Sequence, residues 1–306
     1  MSALPESVLI REVGPRDGFQ NEPEVIETDA KVAIIDGLTQ TGVPRIEITS
    51  FVRPDVIPQL ADGAEVLARV QRRDDVSFSV LIPNRRGLEN ALKQRERLDE
   101  ISVFLSASET HNMKNVNRTI GQSLAELVGV VEDARKEGLR CVAVISTSFG
   151  CPYEGSVAPE RVFEIAGELV RAGCAEIGFG DTTGMANPVQ VGEFFSAASG
   201  ALPGTQLTAH FHNTRGQGLA NVYAALQAGC ASFESSFGEM GGCPVPPGAT
   251  GNVATEDVVS MLEEMGVSTG IDLPALVECA RDMQERLGRR LGSHVLTAGP
   301  VEWSGA

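Results

Sequence analysis

Aromatic side chains are scarce in this 306-residue chain, at 5% with a single Trp, and no apolar run approaches the length of a membrane span. The opening stretch, MSALPESVLIREVGPRDG, holds neither a basic segment followed by an apolar one nor an Arg-rich amphipathic leader. These absences imply a soluble cytoplasmic protein. Positive charge is also short: 25 Lys and Arg stand against 41 Asp and Glu, a formal net charge of −16. A phosphate backbone needs a basic stripe to displace its counterions, so nucleic acid is excluded as a partner. An anionic small molecule would have to be met by local cations or by a metal. The six cysteines, Cys141, Cys151, Cys174, Cys230, Cys243 and Cys279, form no CxxC pair, which excludes a zinc ribbon and gives no sign of a disulfide framework. Most of them read as small buried hydrophobes.

What is present is an ordinary globular composition, 42% apolar, in a chain long enough for one large domain. Short apolar or β-branched runs at 8–13, 45–51, 77–82, 101–105, 141–147, 176–179, 207–211 and 232–237 read as strands. Between them lie segments with apolar residues at three- and four-residue steps, among them 29–41, 123–137, 159–172 and 217–228. Several of these end at a glycine (Gly42, Gly138, Gly173, Gly229), as expected where a chain leaves a helix with positive φ. Eight strand–helix units predict an α/β chain closed into a (β/α)₈ TIM barrel over about 8–270, within a single domain covering 1–306. An extra C-terminal helix is expected at about 273–291, with a loose tail to 306. A doubly wound open sheet is the competing architecture. It requires a glycine-rich phosphate loop after the first strand, and GPRDGFQNE has no GxGxxG spacing.

Polar and charged residues cluster just after the strands: Arg16 and Asp17, Glu47, Glu109, Asp181, His210 and His212, Glu239. In a barrel that edge is the C-terminal rim, where active sites sit. Residues two apart in a strand project to one side, so His210 and His212 point together into the barrel mouth while Phe211 faces the helices. Taken alone, such a pair reads equally well as one hydrogen-bonded core histidine and one surface residue. The balance shifts with the hard ligands on the same rim. Asp17 ends the first strand and Asn252 follows the eighth, so in a closed barrel both can approach strand seven. Two imidazoles, one carboxylate and one amide oxygen suit an octahedral Mg²⁺ or Mn²⁺ with positions left for substrate oxygens, and lack the thiolates of structural zinc.

Six stretches, VGPRDGFQNE, IEITSF, GCPYEG, GDTTG, AHFHNTRGQGLAN and GGCPVPPGATGNVATED, resemble in order the motifs of the 3-hydroxy-3-methylglutaryl-CoA lyase family, metal-dependent (β/α)₈ enzymes. The resemblance runs over about 8–273. It implies a retro-Claisen cleavage of a 3-hydroxyacyl-CoA, giving acetyl-CoA and a carbonyl acid, which is acetoacetate for 3-hydroxy-3-methylglutaryl-CoA itself. An ion held by Asp17, His210, His212 and Asn252 would bind the substrate's C3 hydroxyl and lower its pKa. Arg16 is implied as the cation that stabilises the acetyl-CoA enolate, with a structural salt bridge as its bland alternative. Glu47 matches the family's catalytic glutamate and would relay the proton. Cys243 lies in a Gly- and Pro-rich loop too poor in apolar bulk to bury it, and matches the family's functional cysteine, which donates a proton or closes the site. Lys114 and Asn115 resemble the contacts to the nucleotide end of CoA, or else form a solvated loop. Asp181 either supports a ligand histidine or its water from behind, or caps the following turn.

The chain departs from the family pattern at four positions: Asn213 replaces the usual aspartate after HxH, Arg215 an aromatic, Pro23 a lysine, and Glu239 a small residue. An added arginine and carboxylate near the mouth leave citramalyl-CoA, or a longer 3-hydroxy-3-alkylglutaryl-CoA, open as substrate. Related metal barrels that run a Claisen condensation, as in isopropylmalate synthase, or decarboxylate oxaloacetate form another class. A non-catalytic CoA-binding protein on this scaffold would be expected to have lost one of the four ligands. A homo-oligomer, dimer or larger, would suit an outer helix face, but no residues mark an interface.

Overall fold

The computed structural model describes residues 4–242 and 251–302. Eight parallel strands close into a barrel: β1 (Leu9–Glu12), β2 (Arg45–Ser50), β3 (Ser77–Leu81), β4 (Glu100–Ser106), β5 (Arg140–Ser146), β6 (Glu176–Asp181), β7 (Gln206–Phe211) and β8 (Ser232–Ser235). Closure is made by β1 against β8, where Arg11 pairs with Glu234 and Glu12 with Ser235. The outward residues of these strands, such as Ile46, Ile48, Ile101 and Phe211, are buried beneath the surrounding helices. That outward face supplies most of the apolar residues of each strand, nearly continuous in β4 and alternating with polar ones in β2 (RIEITS) and β8 (SFES). Helix Ile120–Lys136 starts in a capping box between Thr119 and Gln122, and helix Pro159–Ala172 starts on a proline, which needs no amide partner there. Gly42, Gly138, Gly173 and Gly229 all take positive φ, at 83°, 75°, 112° and 91°. Among the described residues no helix is long and apolar enough to cross a membrane.

The C-terminal segment corrects the expectation of a helix to 291 and a loose tail. The helix covers Leu273–Leu287 and stops where Gly288 turns to φ 60°. A further short helix, His294–Ala298, is docked rather than loose. The buried Asp257 carboxylate accepts from Ser293 Oγ (3.0 Å) and from the His294 and Val295 amides (3.0 and 2.8 Å), while Leu291 and Leu296 are buried.

The inside of the barrel is not the usual stack of branched apolar residues. Arg11 and Arg45 are buried there and bind Glu100 and Glu176. Arg140 adds a contact to Glu176 at 2.9 Å, and Ser77 and Thr208 donate to Glu100 and Glu176. Buried ion pairs recover their desolvation cost only when each charge is matched and hydrogen-bonded; here the arginines match both carboxylates, while Arg11 Nε and Arg140 Nε are buried without a partner.

Candidate active site

The chain leaves β1 through a π-helical turn, Gly14–Gly18, the kind of local departure that often accompanies function. Two glycines permit it. A Cβ at Gly14 would stand 2.6 Å from the Phe237 ring, and one at Gly18 would stand 2.8 Å from Met240 Cβ. The turn sets Arg16 and Asp17 side by side at the mouth. Arg16 donates from Nε to Glu47 Oε2 at 2.5 Å and from Nη1 to Asp17 Oδ1 at 2.7 Å. Gln20 donates to the same Asp17 oxygen at 2.6 Å. Burial pushes the Asp17 carboxyl up, but Arg16, the two histidines and the Asn252 amide outweigh it and hold the group below its ordinary range.

His210 and His212 project from β7 and its end toward Asp17, and the ligating atoms of the three residues lie within 4.8 Å of one another. Their Nε2 atoms are 3.2 Å apart. Cis imidazole nitrogens on an octahedral ion at about 2.1 Å would stand roughly 3.0 Å apart. Asn252 is bridged to His212 and donates from Nδ2 to Asp17 Oδ2 at 2.7 Å and to the Met240 carbonyl at 3.2 Å. Its Oδ1 is buried without a hydrogen-bond partner. A buried carbonyl-type oxygen is seldom left so, and a hard cation is the partner its chemistry fits. The donor set therefore fits a divalent ion, with oxygen from Asp17 and Asn252 and nitrogen from the histidines.

A cavity of about 1010 Å³ runs outward from this cluster. Arg16, Asp17, His210 and His212 border one part of it, Leu81, Phe104 and Val144 give it apolar wall, and Lys114 and Asn115 line it from helix Glu109–Val116. Lys114 Nζ stands 4.9 Å from the Tyr153 ring centroid. Glu47 is buried beneath Arg16, and a register shift in β2 between Glu47 and Thr49 breaks the strand's alternation there. Cys243 lies outside the described residues; Gly242, just before it, lines the cavity.

Asp181 lies near enough to His210 for the ring to favour its ionised form, and its Oδ2 is buried without a hydrogen-bond partner. Its Oδ1 accepts the Met185 and Ala186 amides at 2.7 and 3.1 Å, which makes it the cap of the turn after β6. Burial pushes its pKa up to about 7 against those hydrogen bonds. The carboxylate that holds a ligand histidine is Glu234, whose Oε2 accepts from His210 Nδ1 at 2.9 Å, a residue that the sequence reading missed. An inward glutamate on β8 was the available signal, but its partner becomes apparent only on closure. Burial raises the Glu234 carboxyl, while His210 and Arg11 pull it down further, to about 2. Four of the other cysteines, Cys141, Cys151, Cys174 and Cys230, are buried.

The departures from the family pattern lie behind the rim. Asn213 donates to Glu239 Oε2 at 3.2 Å, so two of them are partners of each other. Arg215 donates to the Thr183 and Gly184 carbonyls at 2.8 and 2.7 Å. None of Pro23, Asn213, Arg215 and Glu239 is among the described residues that line the cavity.

A closed (β/α)₈ barrel with a carboxylate, two imidazoles and an unpartnered amide oxygen at its C-terminal mouth defines a barrel of the metalloenzyme class. Residues 7–283 match the model of the HMGL-like family. The chain belongs to that family. It is 47% identical over 292 residues to a hydroxymethylglutaryl-CoA lyase of Bacillus subtilis, covering 95% of this chain and 97% of the relative. It is 42% identical over 295 residues to the 3-hydroxy-3-isohexenylglutaryl-CoA/hydroxymethylglutaryl-CoA lyase of Pseudomonas aeruginosa, covering 96% and 98%. Among solved structures it superposes on the HMG-CoA lyase of Acinetobacter baumannii in complex with coenzyme A and 3-methylmalate, with a TM-score of 0.91, 42% identity, and 98% and 97% of the two chains covered.

Proposed function

We infer that this chain is a carbon–carbon lyase that cleaves 3-hydroxy-3-methylglutaryl-CoA to acetyl-CoA and acetoacetate. The observation that carries the reading is the convergence of Asp17, His210 and His212 at a cavity whose described lining bears none of the family departures, with the Asn252 amide bound to Asp17 and its Oδ1 orphaned. These four residues would hold the divalent ion, with Mg²⁺ or Mn²⁺ favoured by the oxygen donors and the lack of thiolate. When bound, such an ion acidifies a hydroxyl and polarises a carbonyl.

The chain's own groups account for the remaining chemistry. Loss of the C3 hydroxyl proton lets the C2–C3 electron pair leave onto the thioester, forming the enolate of acetyl-CoA and the ketone of acetoacetate. Arg16, gripped by Glu47 on one side and Asp17 on the other, is the fixed cation for the enolate oxygen. Glu47 is assigned the relay of the C3 hydroxyl proton, and its contact to Arg16 holds both side chains in place. Cys243, two residues past Gly241 in the adjoining loop, is assigned delivery of the proton to C2 or closure of the site. Lys114 and Asn115, which line the cavity from helix Glu109–Val116, take the nucleotide end of CoA.

A longer 3-alkyl substituent is a second reading, favoured by the substrate in the name of the Pseudomonas relative and by the apolar wall of Leu81, Phe104 and Val144. The deciding experiment follows acetyl-CoA release from 3-hydroxy-3-methylglutaryl-CoA with Mg²⁺ or Mn²⁺, beside citramalyl-CoA and a 3-hydroxy-3-alkylglutaryl-CoA of longer chain. Efficient turnover of the first is expected. Turnover of only one of the others would replace the substrate and leave the chemistry, and no turnover of any would overturn both.

A further inference from the structure

The buried ionic lattice of the barrel touches the ligand cluster through Glu234. One oxygen of Glu234 accepts from Arg11 Nη1 at 2.9 Å and the other from His210 Nδ1 at 2.9 Å. An ionised carboxylate can only accept, so Nδ1 carries a proton, and in the neutral ring Nε2, the nitrogen facing His212, is left with its lone pair. Glu234 can enforce this only while its own rotamer is held. Arg11 supplies that hold: it is fully buried, and its other guanidinium nitrogen is anchored by Glu100 at 3.0 Å and Glu176 at 3.6 Å. Arg45 sits in the same lattice and binds Glu100 and Glu176, and among the described residues it forms no ion pair with Glu234.

We propose that Arg11 is a positioning residue which, through Glu234, fixes the ring orientation and the Nε2-bare tautomer of His210 for a divalent ion. The proposal rests on the reading of Asp17, His210, His212 and Asn252 as the ligand set. It gives the polar filling of this barrel a purpose beyond stability, because an apolar residue at 11 would leave Glu234 free to choose another rotamer. Groups that orient a ligand histidine typically change metal affinity by about 10–100-fold when removed.

The test is calorimetric titration of the metal-stripped full chain with Mn²⁺, together with ¹⁵N spectra of the His210 ring, whose two nitrogens report the tautomer directly. Arg11→Met is expected to weaken Mn²⁺ binding by about 10–100-fold and to give a mixed tautomer. Arg45→Met, which disturbs the lattice without touching Glu234, is expected to stay within about twofold of wild type. In a Glu234→Gln background, Arg11→Met should add no further loss beyond about twofold. Should Arg11→Met not fold, Arg11→Lys, which keeps the charge and loses the fork, decides by the same two readouts. Wild-type affinity and a single tautomer in the Arg11 variant would overturn the proposal, as would an equal loss in Arg45→Met. Asp17→Ala separates the two levels: undiminished Mn²⁺ binding there would mean that the ligand set itself is wrong.

Discussion

Asn252 Nδ2 donates to Asp17 Oδ2 at 2.7 Å, across 235 positions of the chain, and so ties the exit of the first strand to the segment after the eighth. The same amide leaves Oδ1 buried and unpartnered, on a residue bridged through its backbone to His212. Ligation predicts that Asn252 contributes to metal-linked stability. At a metal concentration of 100 Kd, the wild type should gain about 2.7 kcal/mol. Asn252→Ala should gain far less at that concentration, measured as the difference between melts with and without Mn²⁺. Equal gains in the two proteins would remove Asn252 from the ligand set.

Arg16 can be separated from the ligands it touches. Its role as the cation for the enolate predicts a fall in kcat of about 10²–10³ for Arg16→Gln, as for loss of one oxyanion donor, with Mn²⁺ affinity reduced far less. The 2.7 Å contact to Asp17 is the competing explanation. A loss of metal affinity equal to the loss of turnover would make Arg16 a prop for Asp17.

Much of this fold can be read from residue order because strands with a buried outward face show up as apolar or alternating runs and several helices end at a glycine of positive φ. The β6 run is read two residues short, since Gly178 and Gly180 interrupt it. His210 and His212 are legible from the two-residue period of a strand. Arg11 and Glu234 are not, because a charged residue in a strand identifies no partner until closure joins positions 223 apart. The docked C-terminus was hidden for a similar reason: Asp257 reads as the first turn of its own helix, and only the tertiary fold makes it the acceptor for residues 293–295. Asn213, Arg215 and Glu239 look like changes to the substrate pocket in linear order, yet their side chains bond to neighbouring loops.

That placement has a measurable consequence. Glu239 holds φ at 60°, a conformation costing a non-glycine residue roughly 1–2 kcal/mol, while its hydrogen bond with Asn213 returns about 0.5–1.5 kcal/mol. Glu239→Gly should therefore change stability by no more than about 1 kcal/mol in urea denaturation. Asn213→Asp alone sets two carboxylates face to face and should destabilise, and the double variant should recover. The ratio of kcat/KM for 3-hydroxy-3-methylglutaryl-CoA over citramalyl-CoA should stay constant in all three. A change in that ratio beyond a few-fold would mean that these side chains reach the acyl group after all.

The loop that leads toward Cys243 is held at its base by two buried carboxylates, and these predict how the fold responds to pH. Glu256 accepts the Gly238 amide at 2.9 Å, and Glu12 accepts the Gly14 and Phe237 amides at 2.7 and 3.1 Å and the Thr255 hydroxyl at 2.6 Å. Burial pushes Glu256 up to about 8 and Glu12 up to about 7, against the hydrogen bonds that favour their ionised forms. Both values lie above the roughly 4.3 of an unfolded glutamate. The stability each contributes is thus fully present below that value and is lost as pH rises from there through the folded value, about 7 for Glu12 and about 8 for Glu256, at up to about 1.4 kcal/mol per unit for each group. Gln at position 256 keeps an acceptor for Gly238 and cannot ionise. Glu256→Gln should match the wild type near pH 4 and exceed its melting temperature at higher pH, with the difference opening from about pH 4 to about pH 8 and level above that. Glu12 and Asp181 titrate in both proteins, so the difference between the two curves isolates Glu256. Parallel curves over that range would mean that Glu256 titrates near its ordinary value and that its burial is relieved on ionisation.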